Sequence, residues 1–285
     1  MPEPKPRKLI NVHAHHHHHR DFDARVEEWR RDGAVRTCVA CMRDCPERGD
    51  RASFTNEDLC PYLEKYPDHV IGLAHIRVEG PVEGADAVTR WHDEGFAGLK
   101  IIDPCAPYDD ERFFPIYERA EELGMPILFH TGWLGGIPGT ASYARSHSEY
   151  MRPWHLEHVA RRFHTLKIIG AHLGHPHFTE ALQLVRSMEN VYFDFSGGGG
   201  TKTWVSDLKR HLAPFPGADW DDPEENLALQ WFRKFCFATD NPTVRKWHAN
   251  SEDIMDYLHV PADTREMFYL TNAATLFGIE LADAS

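Results

Sequence analysis

The sequence predicts an α/β fold, a (β/α)8 TIM barrel, on three observations. Eight short apolar, β-branched segments recur along the 285 residues, with helical patterns between most of them. Several are near-continuous hydrophobic runs, as parallel strands covered on both faces require. No Gly-rich nucleotide fingerprint follows any of them, which argues against an open doubly wound sheet.

The strand segments are 9–13, 35–40, 70–75, 97–102, 126–130, 166–171, 191–195 and 235–238. Helix punctuation falls between them. Asn56-Glu57-Asp58 opens a helix that reaches Tyr66, just before Pro67. The patterns at 85–94 and 112–123 stop at Gly95 and Gly124, where a left-handed cap belongs. Segments 148–163, 179–188 and 253–258 continue the alternation, and 264–276 reads as a terminal helix. Two connections are long, 131–148 and 196–226; at the C-terminal face of a barrel such loops build the active site. With no repeat and no linker, residues 1–285 are expected to form one domain.

Composition narrows the function. An apolar share of 42% and a charged share of 26% are those of a soluble globular protein with ample core. Lys and Arg number 31 against 44 Asp and Glu, a net charge of −13, which argues against a nucleic-acid or anionic-membrane partner. The opening Met1-Pro2-Glu3-Pro4-Lys5-Pro6 is polar and unlike a signal peptide, and no apolar run approaches a membrane span. The expectation is a cytoplasmic enzyme with a small-molecule substrate, homo-oligomerisation being left open. Cys38, Cys41 and Cys45 form a C-x2-C-x3-C cluster, read here as ordinary reduced thiols because no fourth thiolate is close in sequence.

Leu9-Ile10-Asn11-Val12-His13-Ala14-His15 carries the strongest chemical signal. Strict alternation would send Ile10, Val12 and Ala14 to one face and Asn11, His13 and His15 to the other. Two imidazoles on one face of a strand end can grip one divalent ion. The run His15 to His19 looks like a purification tag, but it begins inside a strand pattern and leaves His13 unexplained. The apolar alternation selects His13 and His15, leaving His16 to His19 as loop residues at the barrel mouth.

Further polar residues punctuate later strand ends: Lys100 after Gly98-Leu99, His130 after Leu128-Phe129, His172 after Gly170-Ala171 and Asp240 after Ala238-Thr239. In a barrel these ends point to one mouth. With Asn11-Val12-His13-Ala14-His15, Gly95–Lys100, Pro126-Ile127-Leu128-Phe129-His130-Thr131-Gly132, Ile168-Ile169-Gly170-Ala171-His172-Leu173-Gly174 and Phe237-Ala238-Thr239-Asp240-Asn241-Pro242, the chain resembles the amidohydrolase superfamily. The likeness is to the amidohydrolase-2 branch, which includes aminocarboxymuconate-semialdehyde decarboxylase-like enzymes and dicarboxylate lactonases. It runs from the first strand to the eighth. Asn11 departs from the Asp common at its position.

The resemblance implies that His13, His15 and His130 bind a metal, that Asp240 is a carboxylate ligand or holds the water, and that His172 is the acid/base. Neutral imidazoles with a carboxylate suit zinc, and also manganese or iron. Such an ion lowers the pKa of a bound water from about 15.7 to about 7. In binuclear relatives a lysine at the place of Lys100 is carbamylated and bridges two ions; the simpler expectation is one ion, with Lys100 paired to Asp103 or to a substrate carboxylate. His75, Arg77 and Trp204 are further candidates for substrate contact.

The first functional reading is hydrolysis of an amide, lactone or related ester of a small polar molecule. The second is non-oxidative decarboxylation of an aromatic or unsaturated acid with the same residues, and the third a ligand-binding barrel without turnover. The short segment between strands one and two leaves little room for a large decarboxylase-type insertion, which favours hydrolysis.

Overall fold

The computed structural model describes residues 7–136 and 138–281, with the side chains of 141 and 142 left aside. Strands and helices alternate from the start: β1 (Leu9–Ala14), α1 (Phe22–Arg31), β2 (Ala34–Ala40), α2 (Asn56–Lys65), β3 (Val70–His75), α3 (Ala85–Asp93), β4 (Gly98–Ile101), α4 (Phe114–Glu122) and β5 (Ile127–Phe129). The second half holds α5 (Ala141–Arg145), α6 (His155–Arg162), β6 (Ile168–Gly170), α7 (Phe178–Ser187), β7 (Val191–Phe193), α8 (Lys202–Leu212), α9 (Ala228–Trp231), α10 (Val244–Tyr257), α11 (Ala262–Glu266) and α12 (Asn272–Phe277). The seven strands pair in chain order and all are parallel, the architecture of a TIM barrel.

The eighth position is filled without a regular strand. Phe235 bridges to Phe193 on one side, and Asp240 bridges to Ala14 on the other, both in parallel. Between them Val12 N–H donates to Phe237 O at 3.0 Å and Asp240 N–H to His13 O at 2.8 Å. Asp240 has φ +55°, a left-handed conformation that breaks an extended run. The segment therefore closes the barrel by single bridges, and the strand expected at 235–238 is absent as such.

Two apolar layers separate by side-chain parity. Val39, Leu99, Ile127 and Phe129 pack outward against Trp29, Leu59, Val88 and Ile116 of the helices. Cys38, Ile71, Leu128, Ile169 and Cys236 fill the interior, with Ala273 and Leu276 of α12 packed against them. Cys38 and Cys41 fall in different layers and all six thiols are free, in line with unremarkable thiol chemistry.

One sequence expectation fails in β1. Ile10 and Val12 belong to the inner layer and Ala14 to the outer one, so the three do not share a face. The β1–β2 register slips between Asn11 and Ala14, and this irregularity shifts parity just before the histidines. Asn11 occupies the slip, with its Nδ2 donating to Thr239 Oγ1 at 3.0 Å and its Oδ1 accepting from His13 N–H at 3.3 Å.

The histidine run is also more structured than a loop. His16 is buried between the rings of Phe22 and Phe54, and the run pairs antiparallel with residues 50–54 through the His17–Ser53 bridge. The helix expected at 148–163 is split at Pro153, which lacks an N–H, into the Ser148–Met151 turn and α6. The long connection after β7 holds α8, capped by Thr201, and the helix at 253–258 is the end of the longer α10. No helix among the described residues is long and apolar enough to cross a membrane.

Candidate metal centre

Each ring at the barrel mouth is oriented by what its other nitrogen touches. His15 Nδ1–H donates to the Ala40 carbonyl at 2.8 Å, because a carbonyl only accepts. His13 Nδ1 meets Asp194 Oδ2 at 3.1 Å, and that carboxylate takes its N–H in the same way. Both Nε2 atoms are thereby left as lone pairs. They lie 3.1 Å apart, with Asp240 Oδ1 3.5 Å from His15 Nε2 and 3.9 Å from His13 Nε2.

Burial holds these rings neutral. It lowers His13 well below the ordinary imidazole range, with the charge of Lys100 adding to the effect, and it lowers His15 to about 4. Burial alone would raise Asp240, but His172, His13, His15 and the Asn241 hydrogen bond hold it below the ordinary carboxylate value. Three acceptor atoms thus converge with no hydrogen between them. That set repels itself and is satisfied by a cation, so the residues fit a divalent ion.

Asp194 ties this group to His172. Its Oδ1 accepts from His172 N–H at 3.2 Å, Ser196 N–H at 2.8 Å and Ser196 Oγ at 2.6 Å, while Oδ2 serves His13. His172 Nδ1–H donates to Ser196 O at 2.8 Å, which leaves the Nε2 lone pair outside that bond. His172 and Leu173 sit at φ +63° and +46°, strained positions of the kind that cluster at functional sites. His13, His172 and Asp194 form a second group close enough to hold an ion.

His130 belongs to neither group. Its Nε2–H donates to Trp133 O at 3.3 Å, and its ring lies 4.9 Å from that of His172, so Nδ1 keeps its lone pair. Burial lowers its pKa well below the ordinary range. Lys100 is fully buried, and its Nζ has no hydrogen-bond partner among the described residues. The expected pair with Asp103 is not formed, because Asp103 Oδ2 lies 3.0 Å from Arg43 Nη1. Burial lowers Lys100 to about 8, against the opposing pull of Asp194 and Asp240.

These groups open into a cleft of ≈ 420 Å³ whose wall includes His15, His130, His172, Asp240 and Trp204. Trp204 packs its indole over Gly198 and against His175 and donates to Phe195 O at 3.0 Å. Arg77 and His75 are not on this wall. Arg77 Nε–H donates to Pro81 O at 2.9 Å, and both residues line a separate cleft with Asn56 and Glu83. The sequence reading missed Asp194. Its signal was the alternation Tyr192, Asp194, Ser196 at the end of β7, where a lone acid in an apolar run stood out only mildly.

A sequence profile of the amidohydrolase family matches residues 50–279. This chain belongs to the amidohydrolase family. The H-x-H pair of β1 precedes the matched stretch, yet the fold brings it against Asp240 from the end of that stretch.

Among the solved structures that match, three illustrate the shared fold. A protein of Acinetobacter baumannii that carries the name 2-pyrone-4,6-dicarboxylic acid hydrolase, with citric acid bound, aligns at TM-score 0.62 and 12% identity over 95% of this chain and 99% of its own. The 2,6-dihydroxybenzoate decarboxylase of Rhizobium gives 0.59 and 16% over 91% and 89%. A 5-carboxyvanillate decarboxylase of Novosphingobium aromaticivorans, complexed with manganese, gives 0.55 and 19% over 90% and 79%.

Proposed function

We propose that this amidohydrolase-family chain is a hydrolase dependent on one divalent ion, zinc being best suited, that opens a lactone or cleaves a related ester or amide of a small polar molecule. The observation that carries this reading is the convergence of His13 Nε2, His15 Nε2 and Asp240 Oδ1 beside His172 at the base of a cleft. His13, His15 and Asp240 would hold the ion, and His130, outside that group, adds a neutral imidazole beside His172. Bound there, a divalent ion supplies a Lewis acid that polarises the carbonyl and lowers the pKa of water to about 7.

The chain's own groups do the rest. Asp240 would hold the ion through Oδ1, next to both Nε2 atoms, and would take the proton of the attacking water on its other oxygen, Oδ2. His172, its Nδ1–H held by Ser196 O, delivers a proton from Nε2 to the leaving oxygen or nitrogen. Asp194 keeps His13 in the tautomer that frees Nε2 and fixes the turn that carries His172. Lys100 supplies an unmodified cation beneath the site, and Trp204 gives the substrate an aromatic wall.

The short connection between β1 and β2, with no room for a large decarboxylase-type insertion, favours hydrolysis over decarboxylation. The same residues would serve a decarboxylase, so the reaction itself is the test. With lactones, esters, amides and hydroxybenzoates, titration of released acid and headspace analysis should find hydrolysis without carbon dioxide. Stoichiometric carbon dioxide from any good substrate would transfer the chain to the decarboxylases.

A further inference from the structure

The cleft over the histidines does not end at its own walls. Ile102, Trp133, Leu134 and Gly135 line it and also line a second chamber of ≈ 400 Å³, so the two spaces adjoin across one partition. The partition is held in place from behind: Trp133 N–H donates to His175 O at 2.7 Å, and Leu134 N–H donates to Ser148 Oγ at 3.0 Å.

The second chamber is lined by exposed aromatic rings and by charged groups of both signs, Arg43 and Arg48 with Glu47 and Glu149. Trp133 and Tyr143 line it while 64% and 45% exposed, and large rings so exposed beside a reactive cleft mark a contact surface. Arg43 lines the same chamber, its Nη1 3.0 Å from Asp103 Oδ2 and 3.4 Å from Glu79 Oε1. Both carboxylates are buried, so the guanidinium is fixed in place. Aromatic rings that share a chamber with a fixed guanidinium suit a planar ring whose polar substituents reach the arginine. The first cleft is large enough for a single-ring acid or lactone alone, so the second chamber is capacity beyond that.

We infer that the substrate is bipartite: a carbonyl-bearing group reacts over the histidine cluster, and a second, planar ring with polar substituents occupies the chamber between Tyr143, Trp133 and Arg43. This inference rests on the hydrolase reading and names the substrate class for it. It makes Tyr143 a specificity residue that touches no part of the histidine cluster.

Two product-like acids test it by calorimetric titration of the metal-loaded protein: 4-hydroxybenzoate and a hydroxylated biphenyl carboxylate. The two-ring acid should bind at least about tenfold more tightly. Tyr143→Ala should remove that advantage, and Ser53→Phe, which fills the chamber from its wall, should do the same, both leaving one-ring affinity unchanged. Equal affinities in the parent protein, or an advantage that survives both variants, overturns the bipartite substrate. If the one-ring acid needs the metal and the second ring adds nothing, the hydrolase reading stands and this inference alone falls. If chelation changes the affinity of neither acid, the acid end does not sit at the histidines and both fall.

Discussion

His172 and Lys100 each have two readings that a single substitution separates. With Nδ1–H bound to Ser196 O, His172 works through Nε2, either on a proton or on a second ion. As a proton donor it acts only in the transition state, so His172→Asn should keep the metal and the fold while activity drops about 10²–10⁴-fold. Lys100→Ala should likewise keep the metal content of the parent, since an unmodified ammonium bridges nothing. Elemental analysis that finds two ions in the parent and fewer in both variants would establish a binuclear centre. The sequence pointed to His13, His15, His130, His172 and Asp240 because each follows an apolar strand. It could not reveal that His130 stands apart from the His13–His15–Asp240 group, a matter of ring orientation towards Trp133 O. Asp194 escaped notice because its role depends on four donors brought from three separate positions by β1 itself and by the turns after β6 and β7.

At the scale of elements, the loops after β5 and β6 are locked together at one glycine. Gly132 has φ +86°, and a Cβ there would lie 2.0 Å from His175 O. Neither the conformation nor the space admits a side chain. Gly132→Ala should therefore destabilise by about 3 kcal/mol or more and disturb Trp133, the acceptor for His130; Tm and metal affinity should both fall. An unchanged Tm would show that the loops are not packed as described. Seven strands were legible because parallel strands buried on both faces are written as runs of apolar residues. The eighth was legible as a position but not as a strand, since Asp240 turns left-handed where pairing would continue. The α8 helix was missed behind the glycines 197–200, although Val205, Leu208 and Leu212 carry its buried face at helical spacing.

Across the whole molecule, buried neutral histidines make stability depend on pH even away from the cleft. Burial lowers His16, His69 and His75 from 6.5 to about 4. The unfolded chain takes up protons at these rings as pH falls below about 6.5, whereas the folded chain does so only near 4. The contribution of these three rings is thus flat above neutrality and declines as pH falls through that window. Metal-free protein should show a steady loss of Tm from about pH 7 to pH 5 and little change from pH 7 to pH 8; a Tm that holds down to pH 5 would contradict the burial of these rings. Metal should act on the same balance, because an ion that binds only the folded barrel adds stability by mass action. Whether that ion sits between His13, His15 and Asp240 is answered most directly by metal content measured on purified variants. The protein should hold about one divalent ion per chain, His13→Ala and Asp240→Ala should lose it, and His17→Ala with His19→Ala should retain it. A His13→Ala protein with the metal content of the parent would contradict the account.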